Sequence, residues 1–158
     1  MKYSLLILLS FSILSATSQQ KTEIVKLSVP KIRVDQGNSS TIEIGVEVKD
    51  GYHIQANQLD NEYLIPTTLT IKADTNIIIG KQAFPQSKKL KLEGSADYWN
   101  VYDGSFDISL ELKTTGIIQK GKYNLTATFH YQACDSKSCL SPRTINFLIP
   151  IEITGQTD

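Results

Sequence analysis

The sequence predicts an all-β protein, an antiparallel sandwich, on three observations. Apolar residues alternate with polar ones in run after run, the two-residue period of a strand with one wet face. Clusters of Gly, Asp, Asn and Ser separate those runs. No segment carries a convincing helical period.

In order along the chain, Ile24 to Val29 alternates and predicts a first strand, interrupted at Pro30 and resumed over Ile32-Arg33-Val34. A proline there suits an edge position. Asp35 to Ser40 is a turn cluster. Thr41 to Lys49 is the clearest strand, with Ile42, Ile44, Val46 and Val48 on one side. Asp50-Gly51 turns the chain into a short strand over Tyr52 to Gln55, and the polar stretch Ala56 to Glu62 reads as a loop. Leu69, Ile71 and Ala73 alternate, and Ile77-Ile78-Ile79 predicts a short buried strand. Lys88, Lys89 and Lys91 predict a solvated loop or edge strand, since lysines protect sheet edges. Phe106 to Leu112, Tyr123 to Tyr131 and Ile145 to Ile153 alternate again. Pro150 makes the last of these an edge or a bulge at that point. From Gly155 the tail is expected to fray. Seven or more short strands at regular spacing predict a sandwich of immunoglobulin type.

The chain has 158 residues, 41% hydrophobic and 20% charged, enough for one domain with its own core. Sixteen basic residues balance sixteen acidic ones, and no basic run is long enough to grip nucleic acid. The N-terminus has the form of a secretory signal peptide. Lys2 supplies a positive start, Leu5 to Leu14 an apolar stretch, and Ala16-Thr17-Ser18 the small residues of a cleavage site. Cleavage after Ser18 leaves residues 19–158 as a single domain. The alternative is an uncleaved anchor, against which the short apolar stretch argues. No cysteine follows that stretch, which argues against a lipid anchor.

The two cysteines, Cys134 and Cys139, have four residues between them and a strand-like run on each side. That pattern reads as a hairpin tip with the cysteines facing one another across its mouth. Export permits a disulfide. As a staple it is weak, since closing a six-residue loop contributes about 2 kcal/mol by chain entropy. This tilts the pair toward thiol chemistry. The alternative is an inert structural disulfide in an exported binding module. Parity adds a constraint: counting from Phe129 and Tyr131 turns Cys134 outward, while counting back from Ile145 turns Cys139 inward. A bulge or loop residue must therefore shift one of them.

Tyr131-Gln132-Ala133-Cys134, a polar gap, then Cys139-Leu140-Ser141-Pro142-Arg143-Thr144 resembles the N-terminal periplasmic domain of the thiol:disulfide interchange protein DsbD. Gly51-Tyr52-His53-Ile54, Leu64-Ile65-Pro66-Thr67 and Val101-Tyr102-Asp103-Gly104 are similar to further parts of that domain. The resemblance implies an immunoglobulin-like domain in the periplasm whose cysteine pair relays electrons by thiol–disulfide exchange. A separate membrane-embedded protein would be the donor, and thioredoxin-like periplasmic proteins, cytochrome c maturation factors among them, the acceptors. By the same analogy Cys139 attacks or is attacked first. The gap of four residues between the cysteines is slightly narrower than in the full-length family member, and the chain ends without transmembrane segments or a thioredoxin domain. The resemblance also implies an aromatic cap over the pair, for which Asp97, Tyr98, Trp99 and Tyr102 are the candidates. The alternative for Trp99 is a core aromatic. No cofactor is implied.

Around the pair, Lys137 would favour a thiolate if close, or is simply solvated, and Asp135 would oppose one. His130 lies four residues before Cys134, about 13 Å along a strand, too far for a cysteine–histidine dyad. It faces away from Phe129 and reads as a surface histidine. His53 has no visible partner. Neither histidine stands at ligand spacing from the cysteines, so no metal site is expected.

Overall fold

A computed structural model describes residues 23–60, 62–73, 75–91 and 97–155. Their twelve strands are β1 (Val25–Ser28), β2 (Ile32–Asp35), β3 (Ser39–Val48), β4 (His53–Gln55), β5 (Thr68–Lys72), β6 (Ile77–Ala83), β7 (Lys88–Lys91), β8 (Tyr98–Tyr102), β9 (Ser105–Thr114), β10 (Gly121–Tyr131), β11 (Ala133–Cys134) and β12 (Arg143–Thr154). The segment expected to be a signal peptide and the end of the tail lie outside the described residues. Among the described residues no helix is long and apolar enough to cross a membrane.

Two four-stranded sheets, ordered β1-β3-β9-β6 and β2-β12-β10-β5, bury one face each in a common core. Alternation decides which face. Ile42, Ile44, Val46 and Val48 of β3 and Ile108, Leu110 and Leu112 of β9 come from one sheet. Leu125, Ala127 and Phe129 of β10 and Ile149, Ile151 and Ile153 of β12 come from the other. Each of these side chains except Ala127 contributes roughly 1.5–3 kcal/mol on leaving water. The architecture is the immunoglobulin-like sandwich expected.

Several elements differ in detail. Pro30 marks a change of sheet: β1 pairs with β3, whereas β2 runs parallel to β12 in the opposite sheet. That parallel pair is an exception to the antiparallel pattern. Of the three isoleucines opening β6 only Ile77 is buried; Ile78 is 49% exposed, because alternation turns it to the outer face of the sheet, opposite Lys113. Pro150 pairs with Asn124, and β2 joins the other side of β12 only from Ile151. The strand is thus a local edge at its proline, where a missing N–H costs nothing.

A third sheet, β11-β4-β8-β7, positions the cysteines. Its outer strand β7 carries the three lysines, in the edge role expected of them. All three residues of β4 are buried, so this short strand is covered on both faces.

Candidate functional site

The ladder of β10 and β12 ends at Tyr131 and Arg143. At Gln132 the chain leaves that sheet, and Ala133–Cys134 joins the third one, pairing with β4. Alternation runs unbroken through this crossing, and the parity conflict is resolved on the other arm: three steps lead from Tyr131 to Cys134 but four from Cys139 to Arg143, so Cys139 is the residue shifted. Ala133 continues into the core, and Cys134 turns to the sheet's other face. Gln132 secures the crossing. Its carbonyl accepts the Gln55 N–H at 3.0 Å, its side-chain amide donates to the Leu140 carbonyl at 3.2 Å, and its side-chain oxygen accepts the Ile65 N–H at 3.3 Å.

Cys134 and Cys139 form a disulfide, with Cα atoms 3.9 Å apart across a single antiparallel bridge. The hairpin mouth is therefore present, though one pair deep. Leu140 N–H donates to the Ala133 carbonyl at 2.8 Å and Asp135 N–H to the Ser138 carbonyl at 3.0 Å. The two sulfurs are unequal. Cys134 is 0% exposed, whereas Cys139 is half-buried.

The turn is held from within. The Asp135 carboxylate accepts the N–H groups of Lys137 and Ser138, both at 2.8 Å. These bonds hold its pKa below the ordinary 3.8. A depressed carboxyl stabilises the fold above its unfolded pKa and stops doing so as pH falls through the lower, folded value. Asp135→Ala is accordingly expected to lower hydrogen-exchange protection of the Lys137 and Ser138 amides at neutral pH. In the unmodified protein the same protection should fade below about pH 3.8. Amide exchange followed by NMR checks both, and protection unchanged in the variant would refute the assignment. Lys137 and Ser138 are exposed.

Facing the disulfide from β4 are His53 and Gln55. His53 is the register partner of Cys134, and Gln55, two residues on, shares its face. Gln55 is fully buried, and its amide nitrogen lies 3.3 Å from Cys134 Sγ and 3.9 Å from Cys139 Sγ. Its carbonyl accepts the Thr67 hydroxyl. His53 is 5% exposed, and burial lowers its pKa against the opposing pull of the Asp103 and Asp135 carboxylates. Neither residue is conspicuous in the sequence. Alternation over Tyr52 to Gln55 places the two on one face, yet nothing local tells that β4 will lie beside the cysteines.

The remaining expected residues scatter. Tyr102 does not reach the pair. Its ring faces the core, 4.9 Å from Phe106 and 6.3 Å from Phe84 between centroids, and its hydroxyl donates to Asn57 at 2.5 Å. Alternation along β8 puts Trp99 on the face that carries Cys134 and Tyr98 on the other. Trp99 is half-buried and stands outside the hydrophobic core. Tyr98 is 58% exposed, with the Lys91 ammonium 5.7 Å from its ring centre, and Asp97 is exposed. Trp99 and Asp97 line a cleft with Tyr63, Leu64 and Lys89. His130 lies on the outer face of β10 and shares a hydrogen bond of 3.0 Å with Thr144. Among the described residues no group of three or more His, Cys, Asp or Glu side chains is arranged to hold a metal ion.

A family model described as the thiol:disulfide interchange protein DsbD, N-terminal, matches residues 17–150. Among solved structures, the N-terminal periplasmic domain of ScsB from Proteus mirabilis is similar at a TM-score of 0.50 and 14% identity. That alignment covers 81% of this chain and 45% of the other, so the chain spans less than half of its length. At that identity the likeness is one of fold. The periplasmic chaperone SfaE aligns at a TM-score of 0.34 and 12% identity, over 84% of this chain and 57% of its own. No curated protein matches the sequence.

Proposed function

The chain belongs to the family of the N-terminal domain of the thiol:disulfide interchange protein DsbD, and from that premise we propose that it relays electrons by thiol–disulfide exchange through Cys134 and Cys139. The observation that carries the reading is the asymmetry of the disulfide. Exchange needs one sulfur a partner thiolate can attack and a second that leaves and later resolves the mixed disulfide. Cys139, half-buried on a turn, suits the first role, and Cys134, buried beside Gln55, the second.

The donor in this reading is a separate membrane-embedded protein. The acceptors are thioredoxin-like periplasmic proteins, including those that serve cytochrome c maturation. The chain reaches the periplasm through a signal peptide cleaved after Ser18, and residues 19–158 act as one domain. Partners dock over the turn, and the cleft beside Trp99 and Asp97 forms the rim of that surface. No metal or cofactor takes part, because exchange moves electrons within sulfur–sulfur bonds.

The test is the reduction potential of the pair, read by equilibrating the domain with glutathione buffers and counting trapped thiols by mass. A value between about −180 and −270 mV is expected of a working relay. A value below about −300 mV would mark an inert staple and favour a binding module instead.

A further inference from the structure

Among the described residues, two buried side-chain polar atoms have no hydrogen-bond partner: His53 Nε2 and Gln55 Oε1. They lie together. Both side chains project from β4 onto the face that carries Cys134. Leaving one such atom unpaired is destabilising, so two beside one disulfide call for a chemical reason. Gln55 already uses its amide nitrogen on the sulfurs. His53 stands directly opposite Cys134 in register, and side chains so placed have Cβ atoms about 4.5–5.5 Å apart. A disulfide has no proton to share. A thiol has one.

We propose that His53 is the acid–base partner of Cys134, taking the proton of its thiol when the pair is reduced and returning it when the sulfur leaves. The inference rests on the exchange reading above. In the reducing direction a partner thiolate attacks Cys139 Sγ. A partner–Cys139 bond forms, the Cys134–Cys139 bond breaks, and its electron pair departs on Cys134 Sγ. His53, as imidazolium, supplies the proton that neutralises this thiolate. A second partner thiolate then attacks its own sulfur in the mixed disulfide and releases Cys139 as thiolate. Two electrons have entered the pair, and the partner is left as a disulfide. In the reverse direction neutral His53 removes the Cys134 proton. The thiolate attacks Cys139 of a mixed disulfide, and the partner sulfur leaves with the bonding pair.

The surroundings suit both forms of the ring. Burial favours the neutral imidazole, ready to accept. Asp103, following β8, and Asp135, from the turn, favour the imidazolium. Lys88 tempers the first of these by pairing with Asp103. Lys49, Asp50 and Lys91 line the same cleft as His53 and Asp103.

The test needs no variant to begin with. His53 is titrated by NMR in the oxidised and the chemically reduced protein. Reduction is expected to raise the His53 pKa by about one unit, a tenfold change in its proton affinity. In a Cys139→Ser background, adding His53→Gln is expected to lower the Cys134 thiolate fraction at neutral pH about tenfold, read from thiolate absorbance. A His53 titration identical in both redox states overturns the proposal, as does a thiolate fraction indifferent to His53→Gln in a variant that melts normally. The reduction potential judges the relay reading separately: a relay potential with an unmoved His53 sinks this inference alone. A staple potential removes the exchange steps whatever the titration shows.

Discussion

A Cys134→Ser protein is expected to accumulate as a mixed disulfide with its thioredoxin-like partner through Cys139, whereas a Cys139→Ser protein is not. The argument is one of access and of resolution. An attacking thiolate must approach the sulfur along the line of the bond it breaks. Cys134 is 0% exposed and paired with His53 of β4, while Cys139 is half-buried. With Cys134 replaced, the sulfur that would expel the partner is missing, so the intermediate persists. Both variants should lose turnover entirely, because neither can form the internal disulfide. Only the first should carry the partner on a non-reducing gel. Stability should change little by comparison, since closing so short a loop is worth about 2 kcal/mol. Equal trapping by the two variants would show that the turn opens widely enough to expose both sulfurs, and would overturn the assignment of roles.

The legibility of this molecule follows the range of its interactions. Period-two patterning is local, and where a strand faces core on one side and water on the other it can be read from the residues alone. β3, β9, β10 and β12 are of that kind, and their buried residues are the ones alternation selects. It fails for β4, whose three residues are all buried. A strand covered on both faces has no polar side to reveal it. The parity conflict at the cysteines was a true signal. It requires one extra residue on one arm of the hairpin, and that residue lies between Cys139 and Arg143: the pairs Tyr131–Arg143 and Cys134–Cys139 enclose two residues on one arm and three on the other. What local pattern cannot supply is the neighbour. β4 precedes the cysteines by some eighty residues, and its placement beside them is decided by the pairing of Ala133 with Ile54 and of Ile54 with Tyr102. His53 and Gln55 become part of the site only through that pairing. The same register turns Tyr102 into the core, which no count along its own strand could tell.

Phe129→Ala is expected to be the most damaging single substitution to stability, at about 3–5 kcal/mol. Phe129 is the largest of the fully buried side chains. It sits at the centre of its sheet, with Ile145 opposite on β12 and Leu69 opposite on β5, and its ring centre lies 5.7 Å from that of Tyr131. Removing the ring forfeits its transfer from water and leaves a cavity that two flanking strands cannot close by moving inward, because each is held by its own ladder. For a domain of this size the loss corresponds to a fall in melting temperature of roughly 10–15 °C. Leu148→Ala makes the control. Leu148 belongs to the neighbouring strand but is 55% exposed, so its truncation should stay within about 0.5 kcal/mol. Thermal and urea unfolding of both variants checks the contrast. The reduction potential of the pair should be the same in both variants, because Phe129 faces the sandwich core while the disulfide sits on the outer face of the third sheet. A potential that moved with Phe129 would mean that core and disulfide are energetically coupled through Tyr131 and the crossing at Gln132. A melting temperature that barely fell would mean that the flanking strands do collapse into the space.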